Sequence, residues 1–147
     1  REASPAFFEG LVVNLLVAMG YGGSVTNAGR AIGRASDGGI DGVIDQDALG
    51  LDRVYIQAKR YADGKNIGPG AIRDFFGSLD RFKANKGLFV TTSSFTREAT
   101  DTAQMLSKRI VLIDSDTLTR LMVRYNVGCR VEETLFLRRL DEDFFLD

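Results

Sequence analysis

Before Arg60 the chain carries four side chains, Glu9, Asp41, Gln57 and Lys59, whose types and spacing suit hydrolysis without histidine. Three of them lie in Asp37–Tyr61, DGGIDGVIDQDALGLDRVYIQAKRY, which reads as two strands, Ile40–Gln46 and Arg53–Arg60, joined by a turn around Asp47–Asp52. Side chains alternate faces along a strand, so Tyr55, Gln57 and Lys59 share one face and Val54, Ile56 and Ala58 the other. Lysine is rarely fully buried and an interior amide needs partners, so Gln57 and Lys59 on one face mark a site rather than a core. Asp41, on the neighbouring strand after Gly38 and Gly39, is expected to point at the same place. An acid, an amide oxygen and an ammonium converging at a sheet end make a metal-and-water site. The plainer reading is that Asp41 satisfies a glycine-rich turn, with Lys59 as its ion-pair partner.

The chain contains no histidine and a single cysteine, Cys129. That excludes Ser-His-Asp and Cys-His catalysis and the usual zinc sites. Catalysis is left to carboxylates, amides, Lys, Tyr, Ser or Thr, with a hard cation held by oxygen ligands. One cysteine allows no internal disulfide, which fits a reducing compartment, and the expected location is the cytoplasm.

The length of 147 residues, 44% hydrophobic and 27% charged, suits one domain over 1–147 with a real core. No apolar run reaches the roughly 20 residues that cross a bilayer. No signal peptide is visible, and from the abrupt start at Arg1 the chain is expected to be a fragment of a longer protein. Net charge is −1, but Arg53–Lys86 holds eight bases against three acids, whereas Glu132–Asp147 is acidic. A local basic face can meet phosphates, and it can equally be a set of solvated helix faces.

The elements that must position these groups follow from pattern. Ser4-Pro5 opens a helix, Phe8, Leu11, Val12, Leu15, Leu16 and Met19 recur at helical spacing, and Gly20 ends it. Glu9 lies at the edge of that stripe, either as a first-turn acid complementing the helix dipole or as a carboxylate aimed into a site. Ser24–Arg30 reads as a strand leading through a Gly/Arg/Ser loop into the two strands above. Asp63-Gly64 and Gly68-Pro69-Gly70 mark a loop, and a helix over Pro69–Ala84 puts Ile72, Phe75, Phe76, Leu79 and Phe82 on one face. Gly87–Thr92 is an apolar strand of the kind buried on both faces in a parallel sheet. Thr91, Thr92, Ser93 and Ser94 follow it, before a helix over Thr96–Ser107. Hydroxyls there can bind phosphate or cap the helix. Arg109–Ile113 is a strand, and Ser115 starts a helix ending near Asn126–Gly128. A last strand around Thr134–Leu137 precedes a loose acidic end. Strands that alternate with helices argue for parallel addition through crossovers. The fold class is therefore α/β, a mixed central β-sheet flanked by helices, with an αβββαβ core and a C-terminal αβα extension.

This order, with Asp on one strand and Gln-x-Lys on the next, resembles the PD-(D/E)xK nuclease fold, and more narrowly the Mrr-type restriction endonuclease catalytic domain. The matching stretches are Phe8-Glu9, Gly38-Gly39-Ile40-Asp41-Gly42, Ile56-Gln57-Ala58-Lys59-Arg60-Tyr61, Thr91–Thr96 and Leu140–Phe144. The resemblance implies Mg²⁺-dependent hydrolysis of DNA phosphodiesters, with Mn²⁺ as the other cation suited to oxygen ligands. It implies Asp41 as principal metal ligand, Gln57 and the Ala58 carbonyl as further ligands, and Lys59 as the residue that orients water or stabilises developing charge. Gln57 stands where many relatives of the wider fold carry Glu or Asp, and Glu9 is expected to supply the missing carboxylate. Arg60, Lys65, Thr92 and Ser93 are expected DNA contacts. The implied partner is double-stranded DNA, methylated in the typical case. A separate recognition domain or subunit and a homodimer or higher assembly are expected as well. Two rival functions stay open: a non-catalytic DNA-binding module on the same fold, and a junction-resolving or repair nuclease.

Overall fold

A computed structural model describes residues 5–22, 30–31, 39–61 and 65–128. Its elements are α1 (Pro5–Ala18), β1 (Arg30–Ala31), β2 (Gly42–Asp45), β3 (Arg53–Lys59), α2 (Pro69–Arg81), β4 (Lys86–Thr91), α3 (Arg97–Met105), β5 (Arg109–Ile113) and α4 (Ser115–Arg124). The strands form one five-stranded sheet in the order β1-β2-β3-β4-β5. β1, β2 and β3 pair antiparallel, and β3, β4 and β5 pair parallel. The mixed sheet expected from the alternation of strands and helices is thus present. Among the described residues no helix is long and apolar enough to cross a membrane.

Strand alternation divides the core in two. Leu88 and Val90 of β4 join Phe8, Val12, Leu15 and Leu16 of α1 and Leu118 of α4 on one face, with Ile44 and Ile56. Phe89 faces the other way, into Ile72, Phe75 and Leu79 of α2 and Ala99 and Ala103 of α3. Its ring meets Phe75 and Phe95 edge-on, each with centroids 5.5 Å apart, the geometry aromatic quadrupoles favour. Gly87 lets α2 approach this strand: a Cβ there would stand 2.7 Å from both Leu79 Cδ1 and Phe75 Cε2.

Several boundaries differ from the sequence reading. β2 begins at Gly42, so Asp41 lies just outside the ladder. α2 stops at Arg81, because Lys83 turns left-handed (φ 57°) and the Ala84 N–H returns to the Leu79 carbonyl. Phe82 therefore leaves the core stripe; it is 40% exposed and leans on Tyr55 with centroids 6.0 Å apart. Thr96, rather than the hydroxyls of Thr91–Ser94, caps α3 by accepting the Ala99 N–H. Asp114 caps α4 through the Thr117 N–H. The β2–β3 turn is held by Asp47, whose carboxylate accepts the N–H groups of Leu49, Leu51 and Asp52. Those bonds hold its pKa below the usual 3.8. Residues 24–29, the 32–38 loop, Asp63-Gly64 and the strand and acidic end expected after Cys129 lie outside the described residues.

Candidate active site

The site forms where β2 and β3 part. The Asp41 N–H donates to the Ile56 carbonyl at 2.8 Å, one position before β2 begins, and Gly39 two residues earlier has φ +76°. Along β3 the peptide groups alternate sides. Ile56 C=O faces β2, whereas Lys59 C=O accepts the Thr92 N–H on the β4 side. Ala58 therefore points its N–H toward β2, beyond the end of that ladder. Asp41 Oδ2 accepts it at 2.8 Å. The carboxylate takes the place of a backbone acceptor there, which fixes its rotamer beside β3. The Ala58 carbonyl leaves β3 by the same edge.

Glu9 approaches from α1. It lies in the second turn of that helix, not the first, so the dipole role fails and its carboxyl is free to meet Asp41. The two carboxyls lie close enough that each shifts the pKa of the other. Burial raises the pKa of Glu9 above 4.5, and the neighbouring Asp41 carboxyl pushes it further. Burial also raises Asp41 above 3.8, opposed by the Ala58 N–H, the Lys59 charge and the Glu9 contact. Asp41 is only 9% exposed. Two like charges held together this way favour a shared proton, or a cation in its place.

A cation fits the donor set. Among the described residues no three His, Cys, Asp or Glu side chains converge. Two carboxylates with neutral amide and carbonyl oxygens suit a hard divalent ion and offer nothing to a soft one. Glu9, Asp41, Gln57 and the Ala58 carbonyl are the groups that could hold it.

Gln57 and Lys59 share the face of β3 opposite Ala58, as alternation requires, for Val54, Ile56 and Ala58 pack on the α1 side and Tyr55 on the α2 side. Lys59 is close enough for its charge to favour ionised Asp41. The Gln57 amide lies over Gly39, its Nε2 3.6 Å from where a Cβ of that glycine would stand. Ser78 of α2 reaches the same point, its Oγ at 3.1 Å. Sequence reading missed Ser78. Its one signal was a hydroxyl inside the apolar stripe of Ile72, Phe75 and Leu79.

The expected DNA contacts fall in two groups. Arg60 and Lys65 are exposed beside the end of β3, with Lys65 Nζ 5.9 Å from the Tyr61 ring centre. Thr92 and Ser93 are engaged in the fold. Thr92 Oγ1 accepts the Tyr61 N–H at 3.0 Å and donates to the Tyr61 carbonyl at 3.3 Å, and the Ser93 hydroxyl donates to the Lys65 carbonyl. Both line a polar cavity of about 230 Å³ together with Asp114 and Asp116, where an anion would meet two carboxylates. Their clear role is to brace the segment that carries Lys65.

Residues 1–122 match the Mrr_cat family model, whose description is Restriction endonuclease. The chain is 42% identical over 144 residues to the type IV methyl-directed restriction enzyme EcoKMrr of Escherichia coli (strain K12), covering 98% of this chain and 46% of that protein. It thus spans about half the length of the curated relative. Among solved structures it is similar to MspJI restriction endonuclease in complex with a 27-mer oligonucleotide, with a TM-score of 0.58 and 26% identity over 80% of this chain and 27% of that one. It shares its fold with the DNA modification-dependent restriction endonuclease AspBHI, with a TM-score of 0.65 and 18% identity over 86% of this chain and 33% of that one.

Proposed function

The chain belongs to the Mrr-type restriction endonuclease catalytic family, and from that premise we propose that it is a metal-dependent DNA endonuclease domain directed at modified DNA. The observation that carries this reading is the buried Asp41 carboxylate, fixed by the Ala58 N–H at 2.8 Å at the strand end where Lys59 emerges.

Glu9, Asp41, the Gln57 amide oxygen and the Ala58 carbonyl are the groups that would hold the cation, Mg²⁺ or Mn²⁺. The chemistry a bound cation supplies is polarisation of the phosphodiester and a more acidic water. Asp41 is pre-set for its part, since the Ala58 N–H orients it before any ligand arrives. Lys59 orients the attacking water and stabilises charge developing on the phosphoryl oxygens. A compact ammonium with three donors suits both tasks. Gln57 sets geometry and moves no proton, because an amide does not titrate in the working range. Arg60 and Lys65 meet the backbone phosphates beside the cut.

The substrate is double-stranded DNA, methylated in the reading that follows the methyl-directed relative. Base and modification recognition belong to a separate domain or subunit, and cutting both strands requires two copies of the site, hence a dimer or larger assembly. Action in the cytoplasm is part of the same proposal. The test is cleavage of methylated and unmethylated supercoiled plasmid with Mg²⁺ or Mn²⁺, with Asp41→Ala alongside. Metal-dependent nicking that Asp41→Ala abolishes supports the reading. DNA binding with neither nicking nor metal affinity would favour a non-catalytic module instead. A preference for branched DNA would favour a junction-resolving or repair nuclease.

A further inference from the structure

At the end of β3 the Thr92 N–H donates to the Lys59 carbonyl at 3.2 Å. Lys59 pairs with Thr91, so the parallel pattern would next join Tyr61 to the Thr92 carbonyl and the Ser94 N–H. Tyr61 turns instead to one side chain. Its N–H donates to Thr92 Oγ1 at 3.0 Å, and its carbonyl accepts the same hydroxyl at 3.3 Å. A hydroxyl has one proton and two lone pairs, so it can serve both. The chain after β4 goes to other partners, for the Ser93 carbonyl accepts the Ser115 N–H at 2.9 Å.

On the opposite edge, Asp41 Oδ2 accepts the Ala58 N–H at 2.8 Å. The end of β3 is thus held by one side chain on each edge, Asp41 at Ala58 and Thr92 at Tyr61. Between these two points lie Lys59 and Arg60, the cations that the proposed reaction uses. The groups proposed to hold the metal are placed by other means. Gln57 pairs with Phe89 inside the β3–β4 register, and Asp41 is anchored at Ile56 and Ala58. Loss of the Thr92 hydroxyl would therefore loosen Lys59 and Arg60 and leave the metal ligands in place.

We infer that Thr92 is a positioning residue: its hydroxyl prolongs the β3–β4 pairing as far as Tyr61 and so aims Lys59 and Arg60 at the phosphate to be cut. The inference rests on the nuclease reading above and extends it to a residue that touches neither cation nor substrate.

The test separates rate from cation affinity. Plasmid nicking at saturating Mg²⁺ and DNA is compared for the wild type, Thr92→Val and Thr92→Ser. Mn²⁺ affinity is measured by calorimetry without DNA, and thermal unfolding reports folding. Valine keeps the shape and loses the hydroxyl. Its nicking rate should fall roughly tenfold to a hundredfold, the scale of a small misplacement of reacting groups. Its Mn²⁺ affinity should stay unchanged, and serine should restore most of the rate. Hydrogen exchange on the wild type gives a second reading that needs no variant to fold: the Tyr61 amide should be protected although it lies beyond β3. A wild-type rate in Thr92→Val would overturn the inference. So would a loss that serine does not restore, an equal loss of Mn²⁺ affinity, or a Tyr61 amide that exchanges as fast as an open loop. Absence of metal-dependent nicking by the wild type would defeat the nuclease reading itself and this inference with it.

Discussion

Asp41 Oδ2 accepts the backbone N–H of Ala58 at 2.8 Å, a bond between residues 17 positions apart that closes the sheet where β2 ends. Under the proposed function one side chain has two tasks, completing a strand edge and presenting a carboxylate to a cation. The two tasks respond differently to substitution.

Asp41→Ala leaves the Ala58 N–H without its acceptor, which costs about 1–3 kcal/mol. Asp41→Asn keeps an oxygen for that bond and removes a charge that burial disfavours. In metal-free protein the Asn variant should be more stable than the Ala variant by about 1 kcal/mol, while neither cleaves DNA. Urea unfolding beside a plasmid assay checks both expectations. Equal stability of the two variants would show that the bond contributes nothing.

The Glu9–Asp41 pair sets a pH dependence of definite sign. Both folded-state pKa values lie above their ordinary 4.5 and 3.8. The native state therefore holds protons that the unfolded chain has lost, and the pair's contribution is fully present below those ordinary values. It falls as pH rises through the raised ones. Glu9→Gln should raise the unfolding midpoint of metal-free protein at neutral pH relative to wild type. Saturating Mg²⁺ should reverse the order, because the wild type gains more from the ion. Unfolding followed between pH 4 and 8, with and without Mg²⁺, tests this. A variant that gains as much from Mg²⁺ as the wild type would exclude Glu9 from the cation site.

Gly87 is a packing position with no part in the chemistry. Gly87→Ala forces a methyl against Leu79 and Phe75, at contacts of 2.7 Å in the present geometry. Such overpacking costs about 1–3 kcal/mol. The urea midpoint should fall while the metal affinity of the folded protein stays unchanged. An unchanged midpoint would mean that α2 lifts off β4 at no cost.

Much of the scaffold was legible because local pattern and tertiary packing agree. Alternation placed Gln57 and Lys59 on one face of β3, and the apolar run at Gly87–Thr92 announced a strand covered on both sides. Helical spacing found the face of α1 that packs on β2 and β3. The failures occur where a residue's role depends on something distant in sequence. Asp41 resembles a strand residue until β2 ends one position later. Phe82 has the spacing of the α2 stripe, but a left-handed Lys83 ends the helix before it. The Glu9 carboxyl looked like a dipole partner because nothing local reveals Asp41 beside it. Ser78 and Gly39 come together only when α2 packs under the sheet edge, and no spacing encodes that.

The central claim is that this strand end cleaves DNA with a bound cation, and Lys59 tests it most directly. The rate of supercoiled plasmid nicking at saturating Mg²⁺ is compared between wild type and Lys59→Ala, with Mn²⁺ affinity measured on the same samples. Removing a group that stabilises developing charge lowers such rates by roughly 10²–10³-fold, so nicking should nearly vanish while the cation still binds and the protein stays folded. Nicking at the wild-type rate by Lys59→Ala would contradict the account, because the lysine beside Asp41 would then have no part in the chemistry.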